Sequence, residues 1–213
     1  MTTTLPRDGR HARSARTRAA VIDALLELHL AGDLSPTAGR VAERAGVSLR
    51  TVYGHFADLE SLYAEAGQRA MDRVRDLAVA FTASWSDDPD RLPLEKRARL
   101  FAEARAVALE WLRPISRAAT LREATSPQML RNRERFVALG DSEVRALFAP
   151  ELAELDAHEA ERAVCALHVV AGGPAWDALR HDRGLAPAAA AALLGDLVVA
   201  TARAVFTVTG RHR

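Results

Sequence analysis

The sequence predicts an all-α protein in two parts: an N-terminal three-helix domain with a helix-turn-helix, joined through a long helix to a larger helical body. Three observations predict it. Alanine, leucine and arginine, all strong helix formers, are abundant, whereas aromatic residues make up only 5% of a chain that is 49% hydrophobic. Apolar residues recur at steps of three and four along most of the length. The chain has 213 residues, enough for a small domain and a larger body that each bury a core. The expected division is an arm over 1–15, a small domain over 16–63 and a body over 64–213.

The arm is basic. Arg7, Arg10, Arg13, Arg16 and Arg18 lie in or beside it against a single acidic residue, Asp8. Composition alone reads equally well as a solvated flexible lead-in and as an arm that follows a phosphate backbone. A first helix is expected over 16–31, with Val21, Ile22, Leu25, Leu26 and Leu28 as its apolar stripe and Gly32 as its stop. Thr37 is suited to cap a second helix, on which Val41, Ala42 and Ala45 share a face. Gly46 ends it, because glycine tolerates the left-handed exit, and Val47 fills the angle beyond. Ser48 caps a third helix. Val52 and Phe56 point inward there, leaving Leu49, Arg50, Thr51, Tyr53 and His55 toward the surface. A short helix that displays a guanidinium, hydroxyls and an imidazole is sized to enter the major groove of B-DNA.

A fourth helix starts near Asp58 and runs to about Trp85, carrying Leu62, Ala66, Ala70, Val74, Leu77 and Phe81 at helical spacing. The polar segment SDDPDRLP over 86–93 breaks it. Helical patterns resume over 94–119, where Pro114 is expected to kink or end the helix near Arg113, and then over 127–147, 158–181 and 187–208. Gly172-Gly173-Pro174 falls inside the penultimate pattern and predicts a kink or a close helix crossing.

The run AERAGVSLRTVYGHF, followed by an acidic residue and Leu62, resembles the helix-turn-helix of the tetracycline-repressor (TetR) family of bacterial transcription regulators. The upstream helix TRAAVIDALLELHLAG, the Pro36-Thr37 opening, the AGVS turn, Tyr53 and the His55-Phe56 pair stand in the family's order. The resemblance is strongest over 16–63 and returns in GGPAWDALRHDRGLAPAAAAALLGDLV, which looks like the family's last two helices. One position departs: Leu59 stands where the family usually places a phosphate-contacting lysine, which leaves the arginine-rich arm as a substitute.

The resemblance implies a homodimer that binds double-stranded operator DNA, mostly a repressor released by a small-molecule effector. It implies DNA contacts from Thr37, Ser48, Leu49, Arg50, Thr51, Tyr53 and His55, with Arg50 suited to bidentate reading of guanine. It implies that the last two helices pair with their copies, through Val164, Leu167, Trp176, Leu193, Leu194, Leu197, Val198, Thr201 and Val205. From periodicity alone these stripes read as intramolecular core in preference to an interface. The family's body encloses an effector pocket, for which Phe81, Trp85, Phe101, Arg105, Trp111, Phe136 and His168 are candidates, although each aromatic taken singly reads as plain core.

Other classes are weighed on the same residues. A net charge of +1 argues neither for nor against nucleic acid. The single cysteine, Cys165, excludes an intrachain disulfide framework and reads as a buried apolar residue. No span is read as apolar for long enough to cross a bilayer, and a cytoplasmic protein without cofactor or metal is expected. An enzyme would need converging histidine and carboxylate groups. No HExxH pattern is present, and His158 with Glu159 and Glu161 reads as a solvated helix start. An activator that needs no ligand remains the alternative within the DNA-binding class.

Overall fold

The computed structural model describes residues 7–82 and 92–207, with the side chains of 9, 11–80 and 92–206. The described residues are helical with no strand: α1 (Arg7–Leu30), α2 (Ala38–Arg44), α3 (Leu49–His55), α4 (Leu59–Thr82), α5 (Leu94–Thr120), α6 (Pro127–Leu147), α7 (Ala149–Leu152), α8 (Ala157–Val170), α9 (Gly173–Asp177), a π-helical turn (Ala178–Asp182) and α10 (Pro187–Thr207). The all-α expectation holds.

The chain divides into two compact units, one of Met1–Asp72 with Pro114–Asn132 and the other of Arg73–Arg113 with Arg133–Arg213. The first unit is thus larger than the 16–63 read from sequence. It takes in the end of α5 and the start of α6, because polar groups on α4 bind them. Glu60 Oε2 accepts from Ser126 Oγ at 2.8 Å and from the Gln128 amide at 3.2 Å. Buried Asn132 donates to the Tyr63 carbonyl at 3.1 Å and accepts from Gln128 at 2.9 Å. The approach is close enough that a methyl group on Gly67 would stand 2.3 Å from the Asn132 amide nitrogen. No short-range sequence signal announces a pairing of residues 69 positions apart.

Helix boundaries differ where local chemistry competes. α1 begins at Arg7, so residues 7–15, expected as a flexible arm, are helical; their arginines and alanines favour helix, and Gly9 is the weakest position. α5 passes through Pro114 and ends at Thr120. The expected single helix over 158–181 is instead α8, α9 and the π turn. Pro174 lacks an N–H and starts a new helix, and a methyl group on Gly172 would lie 2.9 Å from the His168 carbonyl.

The core of the second unit gathers Phe101, Leu109, Phe148, Leu167, Trp176, Leu194 and Val198. Phe101 meets Phe148 edge to face, with ring centroids 5.9 Å apart. Burial of each such side chain contributes about 1.5–3 kcal/mol. Two sequence expectations fail here. Cys165 is exposed, because the buried stripe of α8 is Ala163, Val164 and Leu167 and the helical step turns residue 165 outward. α10 is, by length and composition, apolar enough to cross a membrane: Pro187–Phe206 spans 20 residues at a mean hydropathy of 1.7. Its alanine, leucine and valine content produces that value, and Ala190, Leu194, Val198 and Ala202 are buried in the core.

Candidate nucleic-acid interface

Two capped helices and a glycine turn build the outer face of the first unit. Thr37 has extended backbone and its Oγ1 accepts from the Arg40 amide at 3.2 Å, which fixes the start of α2. At the other end Gly46 is left-handed, φ 67°. The Val47 amide donates to the Ala42 carbonyl at 3.0 Å and the Gly46 amide to Glu43 at 3.1 Å, the double closure that a left-handed residue permits. Ser48 then caps α3, accepting from the Thr51 amide at 3.1 Å.

α3 is held by its inner side. Val52 is 1% exposed and Phe56 2%, whereas Leu49 and Tyr53 are 46% and 52% exposed. Arg50 is exposed beside them, and Thr51 and His55 are half-buried. The Thr51 hydroxyl lies 2.8 Å from Ser48 Oγ, so the cap also orients it. Leu49, Arg50 and Tyr53 are therefore presented together on a short helix whose buried contacts leave it little freedom to roll.

The cations around this face are unequal. Arg40 pairs with half-buried Asp33 at 3.2 Å and Arg44 with Glu27 at 2.7 Å in an exposed pair, both surface pairs of small energetic weight. Arg18, read from sequence as part of a basic arm, is engaged internally: it donates to both Glu65 oxygens and to the His55 carbonyl, and it lies over the Phe56 ring at 4.5 Å. The hydrogen bond to Glu65, foremost, raises its pKa above the ordinary guanidinium value. Sequence reasoning missed this role because Glu65 is 47 residues away.

In the second unit the residues expected at a dimer interface divide by burial. Val164, Leu167, Trp176, Leu194 and Val198 fill the chain's own core. The reason is geometric: Val164, Leu167, Leu194 and Val198 lie on the inner stripes where α8 and α10 pack on each other, and Trp176 on α9 joins the same core. Leu193 and Leu197, one turn apart, are 41% and 40% exposed, and Thr201 and Val205 are half-buried.

Among the effector candidates, Trp85 and the Phe81 side chain lie outside the described residues. Phe101 is buried core, while Trp111 and Phe136 are half-buried. Arg105 and His168 come together beside Gly140. Arg105 donates to Glu143 at 2.9 Å and to the Ala171 carbonyl at 3.1 Å, and His168 Nδ1 stands 2.9 Å from Asp141 Oδ1. Nearby Glu110 accepts from Arg180 and from Trp176, and the Arg180 hydrogen bond, first among several causes, holds its pKa below the ordinary carboxylate value. A surface groove lined by Pro93, Leu94, Glu95, Lys96, Arg99 and Arg203 involves none of the candidates.

No family model and no curated protein sequence matches the chain. Solved structures do. A TetR-family transcriptional regulator from Streptomyces coelicolor aligns with a TM-score of 0.65 at 21% identity, over 92% of this chain and 83% of that one. A protein assigned to the same family from Mesorhizobium loti aligns at 0.61 and 19%, over 92% and 98%. The multidrug-binding protein EbrR, solved with imidazole, aligns at 0.54 and 20%, over 84% and 93%. This chain has the fold of the TetR-family transcriptional regulators.

Proposed function

We propose that this chain is a transcriptional regulator, a repressor, that reads a palindromic DNA site as a homodimer and releases it when a small molecule binds its body. The observation that carries the reading is the outer face of α3, where Leu49, Arg50 and Tyr53 stand exposed together on a helix pinned from behind by Val52 and Phe56. Arg50 reads a guanine edge, Thr51 and Leu49 contact neighbouring bases, and Thr37, Ser48, Tyr53 and His55 hold phosphates. One such helix covers only a few base pairs, so a second copy is needed to select a site from a genome. Leu193 and Leu197, with half-buried Thr201 beside them, supply an outward face on α10 for that pairing, while Val205 packs against the core. In this reading the effector sits in the second unit; that EbrR was solved with imidazole supports a small-molecule ligand but not its location. Because α4 is continuous across the division at Asp72, effector binding that tilts it changes the separation of the two reading helices. A nucleic-acid reader on this fold needs no chemistry of its own, so the chain is not an enzyme.

A fluorescence anisotropy titration on duplexes from the chain's own upstream region tests the reading. Wild type is expected to prefer a palindromic duplex, and Arg50→Ala to lose about 1–3 kcal/mol of discrimination at one base position in each half-site. Equal affinity of both proteins for every duplex would remove Arg50 from base reading. For the effector, a screen of apolar small molecules is expected to yield one that raises Tm and weakens the operator complex, since binding at the two sites is reciprocally linked. Stabilising compounds that leave the operator complex untouched would contradict release by a ligand.

A further inference from the structure

The Arg18 guanidinium occupies a place that an arm arginine tracking DNA does not need. It sits on α1 but reaches the far end of α3 and the side of α4. Its Nε donates to Glu65 Oε2 at 2.8 Å while one terminal nitrogen donates to Glu65 Oε1, a forked pairing that a lysine cannot reproduce. The other terminal nitrogen donates to the carbonyl of His55, the last residue of α3. A helix leaves its final carbonyls without intrahelical donors, and the same end carries the negative pole of the helix dipole. A guanidinium there meets both requirements. Below it lies the Phe56 ring, itself buried.

We infer that Arg18 is a positioning residue that fixes the C-terminal end of α3, and through it the direction in which Arg50 and Tyr53 point. Ser48 holds the opposite end of the same helix. With seven residues, α3 has few internal hydrogen bonds, so these end restraints add to the hold that buried Val52 and Phe56 have on its orientation. The pair is partly exposed, 39% for Arg18 and 36% for Glu65, so a phosphate that recruited Arg18 would have to compete with Glu65 for it. This inference rests on the DNA-reading proposal for its functional consequence but not for the restraint itself.

The test uses full-length wild type, Arg18→Lys, Arg18→Met and Glu65→Gln. Amide hydrogen exchange is measured without DNA. Binding is measured over a salt series to the duplex that wild type enriches from a random pool and to a scrambled duplex. The α3 amides are expected to exchange about tenfold faster in Arg18→Lys and Glu65→Gln, with the α1 amides unchanged. Preference for the enriched duplex is expected to fall about tenfold with the dependence of log K on log salt unchanged, because no phosphate contact is removed. Wild-type exchange and wild-type preference in Arg18→Lys would overturn the inference. So would a salt slope in Arg18→Met shallower by about one, the signature of a lost phosphate contact. Should Arg18→Met fail to fold, Arg18→Lys and Glu65→Gln decide the matter. If wild type enriches no duplex, the regulator reading fails, while the exchange measurement still decides whether Arg18 restrains α3.

Discussion

Single residues in the first unit divide into those that face outward and those that hold the outward ones still. Arg50 belongs to the first kind and Arg18 to the second, although both are arginines in a basic neighbourhood. His29 is a third kind, a buried imidazole, 6% exposed, whose Nδ1 meets the Asp33 carbonyl at 2.9 Å. Burial, first, pushes its pKa below the ordinary imidazole value; nearby Arg122 acts in the same sense, against the Asp33 carbonyl and carboxylate. The folded protein then binds fewer protons than the unfolded chain between the depressed value and the ordinary one. Stability from this residue is complete above the ordinary value of about 6.5 and is lost as pH falls through it toward the folded value. Thermal unfolding between about pH 7.5 and 5.5 is expected to show a decrease in Tm that His29→Gln flattens. An identical pH slope in the variant would assign the acid sensitivity to other groups.

At the scale of elements, caps decide where helices start and close packing decides which helices pair. α4 and the start of α6 approach so closely at Gly67 that a side chain there must evict Asn132 from its bonds to Tyr63 and Gln128. Gly67→Ala is expected to destabilise the protein by about 1–3 kcal/mol, measured by urea unfolding. Asn132→Ala in the Gly67→Ala background is expected to recover part of that loss, and strict additivity of the two changes would contradict the clash. Thr37, Gly46 and Ser48 act over three or four residues, so their roles were legible in the sequence, as was the inward set Val52 and Phe56. Asn132 on Tyr63 and Arg18 on Glu65 act between residues far apart in the chain, where no periodicity reports a partner. Pro114 lies inside α5, which continues to Thr120, so of the two outcomes expected at that proline, an end to the helix is the one that does not occur.

For the whole molecule, the separation of inner and outer stripes on α8 and α10 sets what is available to a second copy. Val164 and Leu167 on α8 and Leu194 and Val198 on α10 follow the helical period, yet a period says only that a face is buried, and here the chain buries it itself. Leu193 and Leu197 remain outward. Leu193→Asp with Leu197→Asp is expected to shift the protein from dimer to monomer in analytical ultracentrifugation, with helicity by circular dichroism unchanged and operator affinity reduced at least tenfold, since a lone reader loses half of its contacts. A wild type that sediments as a monomer at all accessible concentrations would contradict the two-copy account. The account rests on the outer face of α3 meeting DNA bases, and selection of duplexes from a random pool by wild type and Arg50→Ala tests that most directly. The predicted result is a two-fold symmetric site enriched by wild type, with Arg50→Ala losing sequence preference at one position in each half. No enriched site, or the same site at the same strength from both proteins, would contradict it.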